Sequence, residues 1–559
     1  MKNYLKSLLT AVALTAVAGS QAQNVRDLQS DTWIGIDGLN RVTPTATDVP
    51  LKTDKDRIVS IFYVSWHTDN YHTSNNGHYG GDVTKVLQKD PEARKNMYNS
   101  AWEEYTCHWG EPEDGYFLSA DPYIIRKDIS MLNDAGVDLL VLDCTNGVTY
   151  RKEWDALLDI LLEMKAEGSK TPKVCFWVYN RHPTSRARNI YDYYYQDHFE
   201  KYKDCYFYLD GKPLLLCNMN PRYDADCSLL ASDTGYRFED YGEDIINFFT
   251  MRHMWWGYYY WPLDSVDKSD VYVGGEDKWT FGYDMHDLRI NTWDGAFRAS
   301  YHNGEIEQMS VTPAQHAVNM IGKSWKVKKG QSFNPNDYAL NEYDLPKRKY
   351  DASNKKWLEH PEEYGIYFEE RWNETLAADP KFIFINDWNE WIAGIFGGDW
   401  SFMGREHNNF AFVDQYNAEF NRTVMPMKGG YTDNYYMQMV QNIRKYKGVR
   451  QAPVAETKVS LRAADDFAKW AGVSEEYFDT YGDVQHRDYN GYGGTHYVNT
   501  SGRNDFVSAK VAVDNTVMSF YVETASAITP SSDPNWMMLF INTDRDFSTG
   551  WAGFDYMID

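Results

Sequence analysis

The chain has 559 residues, enough for two or three domains, and its composition is that of a globular protein. Its 81 acidic residues outnumber 56 basic ones, and the resulting net charge of −25 argues against nucleic acid and anionic membrane surfaces as partners. Aromatic residues make up 16% of the chain. Tyr and Trp join a flat apolar face to a hydrogen-bonding edge, so this content suits either a large aromatic core or sugar rings.

The first element is "MKNYLKSLLTAVALTAVAGSQAQ". Lys2 and Lys6 precede an apolar run, Leu8 to Ala18, that is too short to span a membrane. Small residues at Ser20 and Ala22 predict a signal peptide over 1–22, cleaved near Ala22, and hence a periplasmic or extracellular protein. No Cys follows the run, so nothing marks a lipoprotein, and no other stretch is long enough for a membrane span. Six cysteines remain, at 107, 144, 175, 205, 217 and 227. Cys144 and Cys175 sit in apolar runs as buried thiols; Cys205 with Cys217, or Cys217 with Cys227, are candidate disulfides in an oxidising compartment. Their spacings fit no zinc pattern, and neither a metal nor a cofactor is expected.

From residue 58 apolar runs alternate with helical stretches. "IVSIFYVSWH" (58–67) is strand-like, and "DPYIIRKDISMLNDAG" (121–136) is an amphipathic helix with Gly136 as its stop. "VDLLVLDCTNG" (137–147) is again strand-like, and the helix "WDALLDILLEMKAEG" (154–168) follows. Further runs are 173–180, 212–220, "IINFFTMRHMWW" (245–256) and "EIEQMSVTPA" (305–314); the helix 362–380 then leads into "KFIFINDWNEW". Alternation over this length predicts a (β/α)8 barrel spanning 55–450. No GxGxxG or GxxxxGK[ST] motif favours an open nucleotide-binding sheet. After a linker at 446–458 the pattern becomes strands and turns, which predicts a β-sandwich over 456–559; the chain stops in mid-strand, so that module reads as incomplete.

In such a barrel the reactive groups stand at the C-terminal ends of the strands. Glu390, between Trp388 and Trp391, is the sharpest candidate, because apolar walls raise a carboxyl pKa toward the range of a general acid or base. Asp387 and Asp143 are the further catalytic candidates; Asp387 reads equally as pointing away into the barrel, Asp143 equally as a structural acid bonding backbone amides, and Asp399 is a reserve. Trp66, His67, Tyr179, Asn180, His253, Trp388, Asn389 and Trp391 are candidate substrate contacts, set against core packing for the indoles and structural hydrogen bonding for the histidines.

"FINDWNEWIAG" resembles the WNEW-containing segment of glycoside hydrolase family 71/99-like proteins. "FVDQYNAEFNRTVMPMKGGYTDNYYMQMVQNIRKYKG" (412–448) resembles the sequence that follows it in exported members from Bacteroides-type bacteria. The resemblance covers roughly 55–450 and implies a (β/α)8 barrel acting on polysaccharides or glycans. The best-understood members are retaining endo-α-mannosidases, in which the sugar's own 2-hydroxyl attacks and two glutamates three residues apart serve as base and acid. Glu390 matches the first of them, whereas Ala393 stands where the second would be. "LFINTDRDFSTGWAGFDYMI" resembles the start of family 9-like carbohydrate-binding modules. The expectation is an exported, monomeric glycoside hydrolase acting on a glycan. The alternatives are a non-catalytic glycan-binding protein, which Ala393 favours, and a glycosyltransferase, which export counts against.

Overall fold

The computed structural model describes residues 27–558, apart from 69–80, 97, 103–105, 146, 180–181, 220–237, 256–276, 282–298, 315–347, 352–355, 398–400, 403–404, 407–409, 413–420, 455–457, 535, 545, 547 and 552. Eight strands form one parallel array: β1 (Ile58–Tyr63), β2 (Leu139–Asp143), β3 (Lys173–Val178), β4 (Lys212–Cys217), β5 (Thr250–Trp255), β6 (Lys278–Thr280), β7 (Glu305–Val311) and β8 (Phe382–Ile385). Their spatial order follows the chain, and β8 returns to pair with β1, Ile58 against Phe382 through Ile61 against Ile385. The remaining seam lies between β6 and β7. There the Gln308 side chain stands in for a backbone rung: its Oε1 accepts from Thr280 N at 2.9 Å and its Nε2 donates to Thr280 O at 2.8 Å. This closed parallel order is a (β/α)8 barrel.

Among the described residues the helices around it include α1 (Pro122–Ala135), α2 (Arg151–Ala166), α3 (Pro183–Ile190), α4 (Glu243–Phe248), α5 (Ile366–Ala378) and α6 (Asn434–Lys447). α1 forms where the sequence predicts it. Asp121 caps it by accepting from Tyr123 N at 3.0 Å, Pro122 opens it, and Gly136 ends it at φ 85°, a left-handed conformation that Gly adopts at no steric cost. Its Ile124, Ile125, Ile129 and Leu132 are buried.

Aromatic rings fill the barrel. Phe62 meets Trp177 and Phe281 edge-on at centroid distances of 5.4 and 5.3 Å, and Trp279 tilts against Phe382 at 4.9 Å. Such pairs contribute about 0.5–1.5 kcal/mol each beyond the area they bury. Much of the chain's aromatic content therefore serves the core.

The structure departs from the sequence expectations at three places. "IINFFTMRHMWW" is not one strand; its first part is α4, and β5 begins only at Thr250, because charged Glu243 and Asp244 start a helical turn and Phe249 breaks it in extended conformation. β6 carries no periodic signal in the sequence, because it is three residues long and opens with Lys278. Cys205 and Cys217 do not pair; Cys107, Cys144, Cys175, Cys205 and Cys217 are all buried free thiols, and Cys227 lies outside the described residues. Burial pushes the Cys205 thiol up to about 11.

Residues before the barrel also belong to its body: Arg450 pairs with Asp31, and Arg444 donates to Trp33 O at 2.6 Å. After the barrel come antiparallel sheets. Three strands, Glu476–Phe478, Phe506–Val513 and Met518–Thr524, make the largest, with separate hairpins Arg487–Asn490/His496–Asn499 and Leu539–Ile541/Tyr556–Ile558. Their small core is Leu461, Trp470, Val473 and Ala512. Among the described residues no helix is long and apolar enough to cross a membrane.

Candidate active site

The site grows out of β8. Phe382 and Phe384 face the barrel interior, where they pack on Trp279 and Phe281, and the alternation of a strand carries Asn386 toward the same side. Asn386 is fully buried, and neither its amide oxygen nor its amide nitrogen meets a protein partner. The Asn386–Asp387 peptide is cis. The chain is then held against the segment Arg422–Met425: Asp387 N donates to Arg422 O at 2.9 Å, Val424 N to Asp387 O at 3.0 Å, and Met425 N to Trp388 O at 2.9 Å.

This clasp brings two acids and one base together. Arg422 Nη2 donates to Glu390 Oε2 at 2.9 Å. Asp387 Oδ1 accepts from Glu390 N at 2.9 Å, and its carboxyl is hydrogen-bonded to the Glu390 side chain as well. Burial drives the Asp387 pKa up, against the opposing pull of Arg422 and the hydrogen bonds from Glu390 and Thr423. The two carboxyls stand side by side under one guanidinium. Glu390 is 1% exposed and Asp387 0%.

Asp143 closes β2. In parallel register it partners Trp177, whose ring lies inside the barrel, so its side chain shares that face. Its Oδ1 accepts from Thr145 N at 2.9 Å. β1 alone separates β2 from β8, which sets Asp143 about 10 Å across the sheet from the end of β8.

The other candidates separate into two groups. Asn389 is spent on the end of β1, accepting from Val64 N at 2.8 Å and donating to Val64 O at 3.2 Å. Trp391 stacks on Trp109 at 4.7 Å and 13°, Trp388 packs edge-on against Tyr436 at 6.2 Å, and both indoles are 0% exposed. These three residues build the wall that holds Glu390. Trp66 and His67 differ from them: the Trp66 indole N–H and His67 Nε2 are buried and meet no protein partner, while His67 Nδ1 lies 3.3 Å from Ser119 Oγ. Burial alone lowers the His67 pKa to about 3, so the ring is neutral. Tyr179 stands edge-on to His253 at 5.6 Å. His253 Nδ1 accepts from Met219 N at 3.0 Å, which places the proton of the neutral ring on Nε2, and burial, aided by Lys278, lowers its pKa to about 3. Asn180 and Asp399 lie outside the described residues.

Two residues of the site, Asn386 and Arg422, are not among the sequence candidates. Asn386 carries a readable signal, a polar residue in phase with the inward side chains of β8. Arg422 carries only a weak one, a lone cation before the apolar "TVMPM".

No family model matches the chain, and no curated protein sequence matches it. Among solved structures it is similar to the GH99 endo-alpha-mannosidase of Bacteroides thetaiotaomicron. The structure of that protein in complex with BIS-TRIS-propane aligns with a TM-score of 0.36 and 15% identity, over 70% of this chain and 98% of that one. A second structure of it aligns at 0.35 and 17%, over 71% and 100%. The barrel assignment stands on the strand order above.

Proposed function

We propose that the chain is a glycoside hydrolase acting on a polysaccharide or glycan at the C-terminal mouth of the barrel. The observation that carries this reading is the set of buried polar atoms at the ends of β1 and β8 with no protein partner: the Trp66 indole N–H, His67 Nε2 and both amide atoms of Asn386. Buried polar groups are nearly always hydrogen-bonded, so such a set beside a carboxyl pair fits a ligand rich in hydroxyls.

In this reading Glu390 acts as the carboxylate, since its hydrogen bond to Arg422 favours the ionised form. Asp387, whose carboxyl burial pushes toward the protonated form, orients Glu390 by accepting from its backbone N–H at 2.9 Å. Asp143 is the second carboxyl across the substrate. A separation near the width of two strand spacings approaches the roughly 6.5–9.5 Å that leaves room for a water, whereas a neighbouring-hydroxyl reaction relaxes the requirement. α-Linked mannosides, a retaining outcome and export are proposed from the resemblance of the WNEW segment. A non-catalytic glycan-binding protein is the second reading, favoured by Ala393 at the position of the expected second glutamate. Incubation with plant, algal and host polysaccharides, read by released reducing ends and by the anomer first formed, tests the proposal. Catalytic release from at least one substrate is expected; saturable binding to a glycan with no release from any would favour the second reading.

A further inference from the structure

We propose that His360, Glu362 and Glu363 form a binding site for one divalent transition-metal ion of the zinc class, in the turn that feeds α5. Each offers one ligand atom, and these atoms lie within 4.8 Å of one another. His360 Nδ1 and Glu362 Oε1 are 3.3 Å apart. Two ligands about 2.1 Å from a tetrahedral ion stand about 3.4 Å apart, so this edge already has the required length.

The second observation is independent of the clustering. The Glu362 side chain is only 6% exposed, and its Oε2 is buried with no protein partner. An ionised carboxylate taken out of water needs a compensating charge. Among the described residues no Lys or Arg pairs with Glu362 or Glu363. Glu363 adds a second carboxyl to the same cluster.

A plain ion pair between His360 and Glu362, with both acids favoured by the N-terminal end of α5, is the structural alternative. It uses Oε1 and leaves Oε2 unmet. A cation bound by Glu362 through both carboxyl oxygens would meet Oε2 as well as Oε1 and compensate both carboxyl charges. The turn is also fixed from outside: the Tyr435 hydroxyl donates to Glu362 O, Asn434 Nδ2 to Glu363 O at 3.3 Å, and Arg41 Nη1 to Tyr364 O at 3.2 Å. Held backbone of this kind preorganises ligands. One imidazole with two carboxylates suits zinc or a neighbouring first-row ion rather than calcium or magnesium, and three protein ligands leave a position for water.

The test is calorimetric titration of the EDTA-treated full chain with zinc chloride, with cobalt(II) absorption as a second readout of ligand geometry. One saturable zinc per chain is expected, with affinity weakened more than about 10-fold in both Glu362→Gln and His360→Ala. The absence of saturable binding, unchanged affinity in the variants, or calcium binding as tight as zinc would overturn the proposal. If Glu362→Gln fails to fold, His360→Ala decides, because the His360 side chain is 72% exposed and its loss removes no core.

Discussion

Glu390 and Arg422 are each almost fully buried, and each is the other's charge partner at 2.9 Å. Removing one partner of such a pair leaves an uncompensated charge, at a cost of about 3–5 kcal/mol, whereas replacing both by apolar groups costs far less. Arg422→Leu should therefore be markedly less stable to urea than wild type, and Arg422→Leu combined with Glu390→Leu should recover much of the loss; additive losses would show that the two side chains do not compensate each other. Asp128 on α1 is a second buried acid, hydrogen-bonded to the Tyr63 hydroxyl at 2.9 Å, and burial pushes its pKa up to about 7. A folded-state pKa above the unfolded value near 3.9 means that its contribution is fully present below about pH 4 and is lost as pH rises toward 7. The difference in melting temperature between Asp128→Asn and wild type should thus shift in favour of the variant across that window. A pH-independent difference would contradict the assignment. His67 and His253, with depressed values, act in the opposite sense: their contribution is present above about pH 6.5 and is lost as pH falls toward 3.

At the level of elements, the seam of the barrel is bridged by the short strand Ser300–His302, which pairs with β7 and accepts from Asp277 N, and by one side chain. Gln308 supplies both a donor and an acceptor to the backbone of Thr280 in the short strand β6. Each buried backbone group left unmet costs about 1–3 kcal/mol, so Gln308→Ala should lose about 2–6 kcal/mol in denaturant unfolding. A loss below about 1 kcal/mol would mean that the seam is held by other groups. The same seam marks the limit of what the sequence made legible. β1, β2, β3 and β8 are long apolar runs with polar tips, and α1 carries its cap, its proline and its terminal glycine, so these elements could be read locally. β6 has three residues and no period to detect, and α4 borrows its apolar character from the adjoining strand. The positions of Glu390 and Asp387 followed from a strand end. Their partnership with Arg422 did not, because it joins residues 32 apart through a backbone clasp that no local pattern encodes. Trp388 and Trp391 illustrate the same gap: an indole beside a carboxylate reads alike whether it faces a sugar or, as here, Tyr436 and Trp109.

Across the whole molecule, the C-terminal sheets and the barrel share a buried contact. Arg487 Nε donates to Asp121 Oδ2 at 2.8 Å, at the cap of α1, and Arg487 Nη1 donates to Asp114 O at 2.7 Å. Tyr497 and Tyr492 of the same hairpin bond the backbone of Tyr116, and the Tyr492 ring stands 5.0 Å from that of His108, itself beside His67. The module therefore supports the mouth through its β1 side. Arg487→Ala should lower the stability of the barrel by about 3–5 kcal/mol, since Asp121 stays buried without its cation. If melting followed by barrel tryptophan fluorescence is unchanged, the two parts are energetically independent. The role of Glu390 is tested most directly by the rate of glycan hydrolysis by Glu390→Gln beside wild type, with circular dichroism confirming that the variant is folded. A loss of about 100-fold or more is expected in a folded protein; a folded variant that retains the wild-type rate would exclude Glu390 from the chemistry.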